Sequence, residues 1–310
     1  MGCSSSLVSL VLRTQRAERA VNVPAMVSTA NPEQAKYWNE HAGAEWVALQ
    51  DRMDRQLGPL GDAALEAAAP QPGDAVLDVG CGCGATTLQL AAAVGNGGSV
   101  HGLDISGHMT AVAASRAAEA GLGNTTFTTA DAQDAALAAD AYDLIFSRFG
   151  VMFFADPVAA FSNLLSAARP GGRLAFVCWQ KPADNAWSAV AGRAVMSVLP
   201  PQPVPDPLAP GPFAFADPER IRSILTRAGW SNIATDPCVR SLQMGGSANF
   251  DEVVDVSMRI GPASRALVGA EPELRSLVVE AIRAALEPHR TPAGVFLSGV
   301  CWIATARRAD

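Results

Sequence analysis

The pattern of apolar and polar positions changes character along this chain. Over residues 32–50, Trp38, Ala42, Trp46 and Leu49 fall near i, i+4, i+8 and i+11, the stripe of an amphipathic helix opened by Asn31-Pro32. A second helical pattern covers 61–69 and stops at Pro70-Gln-Pro-Gly73, a turn leading into a strand. From Gly73 to Cys178 short apolar runs alternate with helical patterns, which predicts a doubly wound parallel sheet. Beyond Trp179 the rhythm breaks. Residues 186–198 read as a helix, and Pro200-Pro-Gln-Pro-Val-Pro-Asp-Pro-Leu-Ala-Pro-Gly-Pro212 reads as a stiff extended loop. Asp217, Pro218 and Gly229 mark the cap, first turn and stop of a clean helix. Residues 233–242 then read as a strand, 250–286 as mostly helical and 294–306 as a final apolar strand.

Within the alternating region, Ala75-Val-Leu-Asp-Val-Gly-Cys-Gly-Cys-Gly-Ala-Thr-Thr87 carries the chemistry. An apolar strand runs into a turn of alternating glycines, which permit φ > 0 and close approach of backbone to a ligand. Downstream, Val100-His-Gly-Leu-Asp104 reads as a second strand ending in an acid. A glycine turn followed by such an acid is the pattern of a nucleotide-type cofactor lying over parallel strand ends. Gly80-x-Gly82-x-x-Ala85 also satisfies a loose dinucleotide pattern. However, Asp78 stands at the mouth of that turn, where a carboxylate repels a pyrophosphate and welcomes a cationic group.

Leu77-Asp-Val-Gly-Cys-Gly-Cys-Gly84 resembles the first motif of class I S-adenosylmethionine-dependent methyltransferases. Gly102-Leu-Asp-Ile-Ser106, Ala130-Asp-Ala132, Tyr142-Asp-Leu-Ile-Phe-Ser147 and Arg169-Pro-Gly-Gly-Arg-Leu-Ala-Phe-Val177 resemble the family's later landmarks, in its order. The layout is most similar to the small-molecule branch typified by ubiquinone and menaquinone biosynthesis enzymes. The resemblance implies an α/β, Rossmann-like, mostly parallel seven-stranded sheet with a helical lid before it and a helical insertion before the last strand. The implied division is a disordered leader over 1–28, a lid over 29–69, a cofactor-binding core over 70–180 and a Pro-rich lid segment over 181–216. The rest of the core, 217–310, then holds an insertion over about 247–292.

The implied cofactor is S-adenosyl-L-methionine, and the roles follow by position. Asp78 would anchor the methionine ammonium, and Gly80, Gly82 and Gly84 would let the backbone approach the methionine part. Asp104 would accept from the ribose hydroxyls, or alternatively cap the next helix. Ile105 would flank the adenine, with Asp131 and Ala132 meeting its edge. Tyr37, Trp38 and His41 become candidates for closing the site from the lid, and Trp46 for packing on the sheet. Ser147 and Arg148 would stand where the fourth strand meets the methyl group, Arg148 either acting there or forming a structural ion pair. Phe149, Trp179 and Trp187 are candidates for the acceptor wall, with core packing as the competing reading. His41 and His108 are the candidate bases, because an imidazole titrates near neutrality. A nicotinamide-dependent oxidoreductase and a non-catalytic cofactor-binding protein are the alternatives.

Composition narrows the partners. The chain has 310 residues, 49% of them hydrophobic, enough for a sizeable core. Its net charge of −7, with no Lys/Arg run, disfavours nucleic acid and points to a small-molecule acceptor. The apolar runs are too short to span a bilayer. The six cysteines form no C-x-x-C pair, so reduced thiols in a cytoplasm are expected, and Cys81 and Cys83 read as small turn residues and not as metal ligands. Met1-Gly-Cys-Ser-Ser-Ser6 matches a myristoylation pattern, and Arg13, Arg16 and Arg19 are faintly reminiscent of a transit peptide. The plainer reading is initiation at Met26.

Overall fold

The structure is a computed structural model that describes residues 30–199, 206–267 and 270–310. The expected leader with Met26, and the proline run from 200 to 205, lie outside the described residues. Near the N-terminus come α1 (Pro32–Tyr37), a π-helical turn (Trp38–Ala42), α2 (Gly43–Ala48) and α3 (Gln50–Ala68). The alternating region follows as β1 (Ala75–Val79), α4 (Ala85–Val94), β2 (Ser99–Asp104), α5 (Gly107–Glu119) and β3 (Thr125–Thr129). It continues with β4 (Tyr142–Arg148), α6 (Pro157–Ala167) and β5 (Ala168–Trp179). The C-terminal part holds α7 (Ala186–Val198), α8 (Pro218–Arg227) and β6 (Ser231–Gln243). Helices α9 (Phe250–Arg259), α10 (Pro262–Ala266) and α11 (Pro272–Leu286) precede β7 (Arg290–Thr291) and β8 (Gly294–Arg307).

Among the described residues the strands form one sheet in the order β3-β2-β1-β4-β5-β8-β6, with β7 folded back on β8. Pairs from β3 to β5 are parallel, and β8 runs antiparallel to both β5 and β6. The chain thus reverses its strand order at β1 and β4, and their carboxyl ends open a crevice there. Residues 76–79 of β1 are buried throughout, as are Leu144, Ile145 and Phe146 of β4, because helices cover both faces. Each such fully buried Leu, Ile or Phe contributes about 1.5–3 kcal/mol by leaving water. No helix among the described residues is long and apolar enough to cross a membrane.

The structure departs from the sequence expectation at the ends of the chain. The single helix expected over 32–50 is broken into α1, the π-turn and α2, and it stops at Leu49. The extra residue in the π-turn lets Asn39 reach the β2–α5 turn, where its Nδ2 donates to Ile105 O at 3.0 Å and its Oδ1 accepts from Gly107 N at 3.1 Å. Helix α3 begins at Gln50, well ahead of the pattern seen from Gly61, and it tolerates Pro59 inside it. The seven strands expected become eight through β7, a two-residue hairpin partner of Gly294 and Val295. Asp217 caps α8 as expected, its carboxylate accepting from Glu219 N at 3.0 Å.

Candidate active site

One cavity of about 1320 Å³ occupies the crevice and extends beneath α1, α2, α7 and the 206–217 loop. Its floor is the glycine turn. Gly80 N and Cys81 N donate to Leu103 O at 2.8 and 3.1 Å, which ties the turn to the end of β2. Gly80 and Gly84 have φ of 67° and 83°, and a Cβ on either would collide with Gly150 Cα or Ala113 Cβ. Those two glycines therefore answer to chain packing. At Gly82, also with positive φ, an added Cβ would meet only the flexible end of Met109, at 3.1 Å, and the residue lines the cavity.

Two carboxylates sit under this turn in different ways. Asp104 reaches the cavity wall, 8% exposed, with Oδ2 accepting from Gly82 N at 2.8 Å and Oδ1 from Ser106 N at 2.9 Å. Burial pushes its pKa up to about 6. Asp78 is fully buried behind the turn and outside the cavity lining, so any contact with a ligand must pass through the turn. Its Oδ2 accepts from the Thr86 and Thr87 hydroxyls at 2.8 and 2.7 Å, while Oδ1 has no partner among the described residues. Burial raises its pKa against the lowering by the two threonines.

Ile105, Asp131 and Ala132 join Asp104 along the cavity, and Asp131 Oδ1 accepts from Gln133 N at 2.9 Å. Tyr37, Trp38 and His41 close it from above. The Trp38 ring stands edge-on to Phe153 at 5.2 Å and to Tyr37 at 5.4 Å. At the other end Phe149 stacks on Trp179, with centroids 4.4 Å apart and planes 15° apart; Trp187 lies 4.7 Å further on, and Phe213 6.1 Å beyond that. Phe149 has φ of 63°, a left-handed conformation that an aromatic residue adopts only when its surroundings impose it.

Besides Asp78, three expected site residues are placed elsewhere or engaged otherwise. Ser147 is fully buried outside the lining, its hydroxyl donating to Val79 O at 2.7 Å and accepting from Gly150 N at 3.1 Å. It fastens the ends of β1 and β4 together, and no hydroxyl is left for a ligand. His108 is exposed and outside the lining, because it faces solvent from the first turn of α5. Gly84 likewise stands outside the lining, against α5. Arg148 does line the cavity, paired with Asp54 of α3. Cys81 and Cys83 are buried in the turn, and burial pushes the Cys83 thiol up to about 12.

A methyltransferase-domain family profile matches residues 76–172. The nocamycin O-methyltransferase of Saccharothrix syringae is 31% identical over 212 residues, covering 68% of this chain and 72% of that protein. A ubiquinone/menaquinone biosynthesis C-methyltransferase of Teredinibacter turnerae is 31% identical over 183 residues, covering 52% of this chain and 74% of that protein. The chain belongs to the S-adenosylmethionine-dependent methyltransferases. The aklanonic acid methyltransferase DauC of Streptomyces sp. (strain C5) is 36% identical over 118 residues, and there the match spans about half of the relative, 54% of its length against 38% of this chain. Among solved structures, the protein BH2331 from Bacillus halodurans C-125 superposes with a TM-score of 0.54 at 15% identity, covering 81% of this chain and 99% of that one. The cyclase SpnF superposes at 0.51 and 19% identity, covering 81% and 82%. These two likenesses show the fold, and a cyclase among them shows that the fold alone does not choose the reaction.

The methyltransferase's own residues fit its cofactor. Carboxylates below and beside the turn, one with an unpartnered buried oxygen, suit a ligand bearing positive charge and oppose a pyrophosphate. The nicotinamide alternative falls with the family assignment. Sequence reasoning missed Asn39, Asp54 and Asn185. Asn185 is fully buried, accepts from Trp187 Nε1 at 3.0 Å and Val300 N at 2.8 Å, and donates to Val300 O at 3.0 Å, so it sets the aromatic wall on β8. Only its place before the α7 pattern, as a helix cap, could have drawn notice.

Proposed function

We propose that this methyltransferase acts on an oxygen or carbon of a bulky apolar, aromatic small molecule. The observation that carries this reading is the continuity of the cavity, which leads from Asp104 and Gly82 to the Phe149–Trp179–Trp187–Phe213 wall without a dividing element. Its 1320 Å³ exceeds the ~300–1,000 Å³ of pockets that hold one small ligand. There is room for a cofactor and a sizeable acceptor together. The compounds for which two relatives are named, nocamycin and aklanonic acid, agree with a small-molecule acceptor.

When bound, the cofactor supplies a methyl group made electrophilic by its sulfonium. The chain's part is then alignment, which can lower such a barrier by about 7–11 kcal/mol, more than acid–base help typically gives. In this reading Asp104 accepts from the ribose hydroxyls, Gly82 admits the methionine part, and Asp131, Ala132 and Ile105 border the adenine. Asp78 contributes negative potential under the ammonium through the turn. Tyr37 and Trp38 exclude water above, and Phe149, Trp179 and Trp187 hold the acceptor. His41 is the histidine at the wall, placed to take a proton from an acidic hydroxyl, whereas the exposed His108 is not. The buried, unpaired thiols agree with a reducing, cytoplasmic setting.

The test is a screen of phenolic and polycyclic acceptors with labelled S-adenosylmethionine, read by mass spectrometry. Methylation of multi-ring phenols or enols, but not of amines or oligonucleotides, is the expected result. Methylation of nucleic acid or of small polar amines would overturn it.

A further inference from the structure

Two arginines share one aspartate beside the glycine turn. Asp54 accepts from Arg148 Nη2 through Oδ1 at 3.2 Å and from Arg116 Nη2 through Oδ2 at 3.1 Å, with Gln50 Nε2 also on Oδ2 at 2.8 Å. Arg116 is committed to the turn, since its Nη1 donates to Cys83 O at 2.6 Å. Arg148 is differently engaged. It lines the cavity, its side chain 13% exposed, and among the described residues its guanidinium hydrogen-bonds to Asp54 alone. Its stem lies along Gly61 of α3, where an added Cβ would stand 3.0 Å from Arg148 Cδ and the side chain would have to give by a few tenths of an ångström.

The charges in this cluster do not cancel. Two guanidiniums face one carboxylate, which leaves one positive charge at the cavity wall. Across the turn lies the fully buried Asp78, close enough for Arg148 to favour its ionised form. The register of β1 on β4 pairs Asp78 with Phe146, which sets Arg148 level with Gly80. The site is therefore negative beneath the turn and positive at the end of β4, the complement of an α-amino acid with its ammonium and carboxylate. A planar guanidinium with unengaged N–H groups suits a carboxylate.

We propose that Arg148, positioned by Asp54, receives the α-carboxylate of the cofactor's amino-acid end and takes no part in activating the acceptor. The inference rests on the reading that the cofactor lies over the glycine turn. Because Asp54 and Gln50 belong to α3, the same contact fastens that helix to the bound cofactor.

The experiment is calorimetric titration of the full chain with S-adenosylhomocysteine and with its decarboxylated analogue, for wild type, Arg148→Gln and Arg148→Lys. A charge-assisted contact of this kind makes about a 10- to 100-fold difference in affinity. Wild type should prefer the carboxylate-bearing compound by that factor. Arg148→Gln should lose the preference while its affinity for the decarboxylated analogue stays the same, and Arg148→Lys should keep part of it. If Arg148→Gln does not fold, the wild type and the Lys variant still decide. A wild type without preference overturns the proposal. So does an Arg148→Gln or Arg148→Lys variant that only melts earlier and keeps the full preference, as a purely structural ion pair would. If wild type binds neither compound, the glycine-turn reading fails and this inference with it; if it binds both equally, only the carboxylate assignment fails.

Discussion

Asp104 is the residue on which the cofactor reading turns. Burial lifts its pKa to about 6, above the value in an unfolded chain, so the ligand-free fold holds that proton more readily than the unfolded chain does. The stability this contributes is complete below the ordinary carboxylate range and is lost as pH rises through about 6. Ribose hydroxyls need the ionised form, so cofactor affinity should move the other way, rising as pH climbs through about 6. Titrations of wild type and Asp104→Asn below and above that pH should show the rise in the first and a flat, weaker response in the second. Equal pH responses would remove Asp104 from the ribose site, because the still-buried Asp78 is common to both proteins. A second residue-scale expectation concerns Asp54. Asp54→Ala leaves Arg116 and Arg148 facing each other without their counter-charge, and this partly exposed cluster should lose about 1 kcal/mol in a denaturant melt. The acid at Asp104 was legible in the sequence because it ends an apolar strand after a glycine turn. Asp54 was not, since the two arginines it pairs with lie 62 and 94 residues away and its one local partner, Gln50, does not mark it.

At the scale of elements, the turn and the helices above it form one assembly. Gly150 sits against the glycine turn, and a Cβ there would stand 2.6 Å from Val79 O and 2.8 Å from Gly80 Cα. Gly150→Ala should therefore push the turn toward the cavity, costing about 1–3 kcal/mol of stability and weakening S-adenosylhomocysteine binding. An unchanged melting temperature and dissociation constant would show that the turn yields freely. Asn39 ties the π-turn to Ile105 and Gly107. Asn39→Ala should speed amide exchange over 32–48 and leave exchange in β1 and β4 unchanged; protection unaltered over 32–48 would mean that α1 and α2 are held by their aromatic contacts instead. Strands β1, β2, β4 and β5 were readable because each holds a short apolar run bounded by turn residues, whereas β3 is threonine around a single Phe127 and carries no such run. The π-turn was not, because its cause is tertiary: Gly43 lies against Trp38 O and Ser106 Oγ, and Asn39 finds its partners on the β2–α5 turn. Likewise Gly58-Pro59 disguised the first half of α3, whose helical state is secured by packing of Met53, Leu57 and Leu60 into the core.

At the scale of the whole molecule, a mostly parallel sheet presents one cavity whose two ends have different chemistry. In the proposed reading the cofactor end is built mainly from backbone and carboxylates of the alternating core, close together in sequence, with Tyr37 and Trp38 above them. The acceptor end is assembled from α7, the 206–217 loop and the ends of β4 and β5, elements far apart in the chain. That is why the aromatic wall was only partly legible: Phe149, Trp179 and Trp187 were visible as candidates, whereas Phe213 joins them only through the fold. Trp187→Ala should raise the acceptor KM and leave the S-adenosylhomocysteine dissociation constant as in wild type, because Trp187 packs with Trp179 and Phe213 and not on the glycine turn. A parallel loss of cofactor affinity would show instead that the wall supports the whole cavity.

The central claim, a cofactor seated over the glycine turn with Asp104 on its ribose, is tested most directly by calorimetric titration of the protein and its Asp104→Ala variant with S-adenosylhomocysteine, with NADH in parallel. The account predicts micromolar binding of the homocysteine compound, about −8 kcal/mol, no response to NADH, and loss of binding in a variant that melts as wild type does. Binding of NADH, or an Asp104→Ala variant that binds S-adenosylhomocysteine as tightly as wild type, would contradict it.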